Sequence, residues 1–75
     1  MNSLSIYTNP HGEEAWWLIA AAGHYVIDCT PNGKDRMYGP LPNSRTVMLR
    51  LEVILGPDYR ATIRTIRPGM SLGGD

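Results

Sequence analysis

The apolar and polar positions follow different periods along the chain. Residues 15–21 and 24–30 are dominated by Trp, Ile, Tyr and Val, which fit a pleated surface, and they predict two strands. Ala22-Gly23 between them reads as a tight turn, because glycine reaches positive φ at little cost. Pro31-Asn32-Gly33-Lys34 follows, and Asn-Gly between extended segments is a hairpin signal. It predicts a short third strand near residues 35–38. Gly39-Pro40-Leu41-Pro42 should end that strand, since proline has no N–H for a ladder.

Residues 44–55 fit two templates. As a helix, Asn43 or Ser44 caps the start, and Val47, Met48, Leu51, Ile54 and Leu55 share one face. As a strand, Val47, Leu49, Leu51, Val53 and Leu55 alternate with their neighbours. The cap, the length and the Gly56-Pro57 stop select the helix. Leu49 and Val53, with Arg45, then point away from the core stripe. Tyr59 to Ile66 alternates again and predicts the last strand, with Arg60, Thr62 and Arg64 on one face. The expected fold is α+β: a small antiparallel sheet with one helix, in the order β-β-β-α-β. The alternative is an all-β, five-stranded small barrel. Residues 1–12, closing on the loop signal Asn9-Pro10-His11-Gly12, are expected to form a flexible N-terminal segment. Residues 13–67 form the single small domain, and residues 68–75 a disordered tail.

Composition narrows the function classes. The chain has 75 residues, enough for one domain, and 43% apolar residues, too many for a disordered chain. Its net charge is zero, which argues against a general polyanion binder. The charges are segregated, however. Residues 1–30 carry Glu13, Glu14 and Asp28 and no Lys or Arg, whereas residues 45–67 carry five Arg against Glu52 and Asp58. The single cysteine, Cys29, cannot close an intramolecular disulfide, and the start of the chain lacks a signal-peptide pattern. Both features point to the cytoplasm. No apolar run is long enough to span a bilayer as a helix.

Catalytic chemistry finds little support. His11 and His24 stand far apart, and no Cys-x-x-Cys or His-Glu-x-x-His spacing occurs, so neither a metal nor another cofactor is expected. Glu13 and Glu14 are neighbours on extended chain, point to opposite sides, and read as a solvated acidic loop. His24 reads as a turn histidine and Cys29 as a small packing residue. The chain is not expected to be an enzyme.

Binding is better supported. Trp16 and Trp17 are adjacent in a strand and must face opposite sides of the sheet. With one helix available, one of them should lie in the core and the other on the open face. A Trp beside Arg is a good interface anchor. Arg60 and Arg64, with Tyr59 and Arg67, could alternatively touch phosphates and stack on bases, as in a small nucleic-acid-binding module.

The segments Tyr7-Thr8-Asn9-Pro10-His11-Gly12, Trp16-Trp17 and Asp28 through Gly33-Lys34-Asp35-Arg36-Met37-Tyr38-Gly39-Pro40-Leu41 carry a resemblance. In them the chain resembles the small phage-encoded transcription regulators, of the kind a Xanthomonas phage carries, that bind host RNA polymerase. The resemblance implies a binding protein, acting in the host cytoplasm, whose partners are the large subunits of bacterial RNA polymerase. It implies inhibition of initiation and antitermination, with any nucleic-acid contact indirect. The resemblance transfers no contact residue; the residues themselves make Tyr7, Asn9, His11, Trp16, Trp17, Arg60 and Arg64 the candidate partner-binding positions, and the chain is expected to be a monomer. The polar stretch from Tyr7 to His11 would order on the partner.

Overall fold

The computed structural model describes residues 3–66. Five strands and one helix follow each other as β1 (Ser3–Thr8), β2 (Glu14–Ala20), β3 (Gly23–Asp28), β4 (Arg36–Leu41), α1 (Ser44–Leu55) and β5 (Arg60–Ile66). All pairings are antiparallel, in the spatial order β4-β3-β2-β1-β5. The first four strands form a meander. The α1 crossover then carries the chain from one edge, β4, to the other, where β5 pairs with β1. The sheet is open, so the α+β expectation holds and the barrel alternative does not.

The order differs from the expected one by a strand. Ser3–Thr8, assigned to a flexible segment, is β1, and it lies between β2 and β5. Ser-Leu-Ser-Ile-Tyr-Thr alternates as a half-buried strand should, and Leu4 and Ile6 are 3% and 2% exposed. The expected tail, residues 68–75, lies outside the described residues. The expected end of the third strand at Gly39 is also corrected. β4 runs on through Gly39 and Pro40 to Leu41, with a register shift opposite His24 and Val26. Proline is tolerated there because β4 is an edge strand, and its outer side needs no donor. Gly39 has φ +138°, and a Cβ there would stand 2.7 Å from both the His24 carbonyl oxygen and Tyr25 Cδ2. Only glycine admits the Tyr25 ring at that point.

The helix starts and stops where its end signals stand. The Asn43 side chain accepts from the Thr46 backbone N–H at 2.9 Å and from its hydroxyl at 2.8 Å. At the other end Gly56 takes φ +89°, and its N–H reaches the Glu52 carbonyl at 2.8 Å. Val47, Leu51 and Leu55 are buried and Ile54 half-buried, as the helical periodicity requires. Met48 is a correction: expected on the core face, it is 51% exposed. One residue past Val47 turns the side chain by about 100°, to the flank of the buried stripe.

Residues paired across strands share a face. One face carries Tyr7, Ala15, Trp17, Val26 and Tyr38, and these pack with Val47, Leu51 and Leu55 of α1 in the core. Arg50 lies over the Tyr38 ring, 4.6 Å from its centroid, and fastens α1 to the β4 edge. The other face carries Ile6, Trp16, Ile27 and Met37 in one row across the sheet.

Candidate functional site

The two adjacent tryptophans separate as the strand period demands. Trp17 points to α1, stacks on Tyr7 at 6.3 Å between ring centroids, and donates its indole N–H to His24 Nδ1 at 3.1 Å. Tyr7 in turn meets Tyr59 edge-on at 5.9 Å. Trp17 and Tyr7 therefore serve the core. Burial and then the neighbouring Tyr59 raise the Tyr7 hydroxyl above its ordinary pKa of 10.0. His24 is more than a turn residue, because its ring fixes the Trp17 indole.

Asn9 is also held inside the fold. It is 9% exposed, and its side chain makes four hydrogen bonds. Its amide donates to the Leu55 carbonyl at 2.8 Å and to the Glu13 carboxylate at 2.9 Å. Its oxygen accepts from the backbone N–H groups of His11 at 3.1 Å and Glu13 at 2.9 Å. One amide thus closes the loop between β1 and β2 and ties it to the C-terminal end of α1. His11, at the tip of that loop, is exposed. The Glu13-Glu14 pair, read as a solvated loop, is put to structural use: Glu13 buttresses Asn9, and the Glu14 carboxylate accepts the Trp16 indole N–H.

The face without the helix has a different character. Its β1 portion is closed, with Leu4 and Ile6 buried. Its β2–β4 portion is open: Trp16, Leu18, Tyr25 and Ile27 are partly exposed and Met37 is 62% exposed. Arg60, opposite Thr8 in the register, lies on the same face and is exposed. The Glu14 carboxylate fixes the Trp16 ring, so this aromatic surface is preorganised. The side chain of Arg64 lies outside the described residues, as does Arg67. Of the seven candidate residues the structure thus places Trp16 and Arg60 on the face without the helix, Trp16 in its open portion and Arg60 beyond β1 at the β5 edge. It places Tyr7, Asn9 and Trp17 in the interior and His11 apart on a loop. Met37 was missed. Its signal was its place across from Ile27, which requires the β3–β4 register and not the sequence alone.

Other chemistry is sparse among the described residues. No group of three or more His, Cys, Asp or Glu is gathered as a metal site. Cys29 is partly exposed, and its thiol is pushed up to about 11 by burial first, then by the carboxylates of Asp35, Glu14 and Asp28. It stays protonated near neutrality and is a poor nucleophile. The loop Cys29–Asp35 rims an open cleft of about 670 Å³. No described helix is long and apolar enough to cross a membrane. Comparison with known proteins yields no match, whether to a family, to a curated protein or to a solved structure.

Proposed function

We propose that the chain is a small protein-binding regulator that docks on a large subunit of bacterial RNA polymerase and alters transcription, by inhibiting initiation and promoting antitermination. The observation that carries this reading is the sheet face without the helix, where Trp16 and Met37 flank Ile27 on the open β2–β4 portion and Arg60 stands exposed at the far β5 edge. Aromatic, Met and Arg side chains are the types enriched at the centres of protein interfaces. The choice of polymerase rests on the sequence resemblance through Tyr7–Gly12, Trp16-Trp17 and Asp28–Leu41. Asn9, Tyr7 and Trp17 contribute indirectly, by holding the sheet in shape.

The test uses point variants, because deleting the N-terminal residues removes β1. Purified polymerase is mixed with wild type, Trp16→Ala, Met37→Asp and Arg60→Ala, each checked for folding by circular dichroism. Co-migration and abortive or terminated transcripts are measured. Truncating a central anchor should cost about 2 kcal/mol or more, roughly thirtyfold in affinity. A wild type that neither co-migrates nor changes any transcript rejects the proposal. Binding to bare RNA or DNA that weakens steeply with salt shifts the reading to a nucleic-acid module.

A further inference from the structure

The outward side of α1 carries a pattern that neither the fold nor the open sheet face uses. Met48, Leu49 and Val53 are 51%, 56% and 74% exposed. Met48 and Leu49 sit between Arg45 and Glu52, and all four, with Ser44 and Tyr59, line a groove of about 340 Å³ along the helix. Arg45 and Glu52 are seven residues apart, two turns or about 10 Å, and so share a side of the helix. Neither forms an ion pair with another described residue.

The placement of these two charges does not serve the helix itself. Arg45 lies in the first turn, where the macrodipole favours an acid, and Glu52 in the last, where it favours a base; the first turn has no acidic residue and the last no basic one. Each charge therefore acts slightly against α1 in the isolated chain. Their order does suit one partner. A second α1 laid antiparallel across a two-fold axis between Met48 and Leu49 brings each Arg45 onto the Glu52 of the other copy. It also sets the two Met48 side chains together on one flank of that line and the two Leu49 side chains together on the other. An isologous interface must be self-complementary in this way, and the stripe of charge, two apolar residues and opposite charge is so under that operation.

We infer that α1 is a self-association face, through which two copies of the chain pair as an antiparallel helix dimer. This departs from the monomer expected from the sequence. A helix of this length spans about 18 Å, so the surface covered falls well short of the roughly 800 Å² per partner of a stable complex. The dimer is accordingly weak, forming at high micromolar concentration. It leaves Trp16, Met37 and Arg60 on the sheet free, so it stands independently of the polymerase proposal.

Sedimentation of the pure chain from about 10 μM to 1 mM tests the inference. The mass should rise from 8.3 kDa toward twice that value, and less so at high salt. Arg45→Glu or Glu52→Arg alone sets like charges across the axis twice and should leave a monomer throughout. Leu49→Asp should do the same. The double variant Arg45→Glu/Glu52→Arg restores complementarity and should recover the dimer. Both reversals also suit the helix dipole, so loss of folding does not explain a monomeric single variant; circular dichroism checks this. A wild type that stays at 8.3 kDa at 1 mM overturns the inference. So does a double reversal that stays as monomeric as either single one. Polymerase binding by the single variants is unaffected in either case.

Discussion

Asn9→Ala should be among the most destabilising surface-loop substitutions in the chain, although Asn9-Pro10 reads as ordinary turn sequence. The change deletes four hydrogen bonds at once. Three involve backbone groups: the Leu55 carbonyl and the N–H groups of His11 and Glu13. The Leu55 carbonyl suffers most, because its bond to Asn9 is buried. A net hydrogen bond contributes about 1 kcal/mol, and an orphaned buried acceptor costs about 1–3 kcal/mol. The exposed loop N–H groups regain water, so the expected loss is about 2–4 kcal/mol against a total stability on the order of 5 kcal/mol. Urea unfolding followed by tryptophan fluorescence measures it, and the midpoint should fall by about 2 M or more if the slope is near 1 kcal/mol per M. Asn9→Asp sharpens the test. It keeps an acceptor for His11 and Glu13 but turns a second oxygen toward the Leu55 carbonyl and the Glu13 carboxylate. A carboxylate there has no proton to give the Leu55 carbonyl and repels the Glu13 carboxylate, so Asn9→Asp should be as damaging as Asn9→Ala at pH 7. It should recover relative to wild type below about pH 4, where the acid can donate. A loss under about 0.5 kcal/mol for Asn9→Ala, with an unchanged slope, would refute the role given to this amide.

Leu51→Ala should cost about 2–4 kcal/mol, since Leu51 is 0% exposed, while Leu49→Ala should cost under about 0.5 kcal/mol, since Leu49 is 56% exposed; equal losses would contradict the helix. Gly39→Ala should cost about 1–3 kcal/mol or more from strain and the clash with Tyr25, and clearly more than Gly33→Ala, where no heavy atom lies within 4 Å of an added Cβ. Comparable unfolding midpoints for the two glycine variants would argue against a tight approach at Gly39. Alkaline pH should weaken the fold, because the unfolded chain releases the Cys29 proton near its ordinary 9.0 while the folded one holds it to about 11. Stability is then intact below pH 9 and falls as pH rises toward 11, with Tyr7 adding in the same direction; melting at pH 8 and 10.5 should show a smaller loss for Cys29→Ala than for wild type, and equal losses would rule the thiol out.

How much of this was legible in the sequence depended on the range of the forces involved. The bounds of α1 were legible because its end signals are local: the Asn43 cap bonds a residue three positions away, and Gly56 bonds Glu52. The opposite facing of Trp16 and Trp17 was legible from the strand period alone. β1 was not, although Ser3–Thr8 alternates, because its partner β5 stands at the far end of the chain, and a short segment next to Asn9-Pro10-His11-Gly12 reads as loop. Asn9 was misjudged for the same reason: its decisive acceptor, the Leu55 carbonyl, is 46 residues away. Met48 was misplaced because it borders the buried stripe, where the helical period does not decide whether a flank residue meets the sheet. Of the candidate site, Trp16 and Arg60 needed only strand alternation, whereas Met37 needed the pairing of two strands across a loop.

The division of labour between the faces follows from a shortage of helix. A sheet of five strands is about 20 Å across at roughly 4.8 Å per strand, whereas one helix covers about 10 Å. α1 lies over β2, β3 and β4, so the flank toward β1 needs another cover. The stack Trp17–Tyr7–Tyr59 supplies it, and Asn9 holds the end of α1 against that flank. Three of the residues first assigned to a partner are thus occupied in closing the core. The same shortage leaves the opposite face with no helix. There the chain closes the β1 portion over Leu4 and Ile6 and leaves Trp16 and Met37 toward solvent. Bare apolar surface in a small domain favours aggregation unless it is limited in size or matched to a partner. Here it is limited to a few side chains, and the one that Glu14 holds in place suits a partner. On this argument the surface for partners is set by what a single short helix is unable to cover, and stability and binding are carried by opposite faces of the same strands.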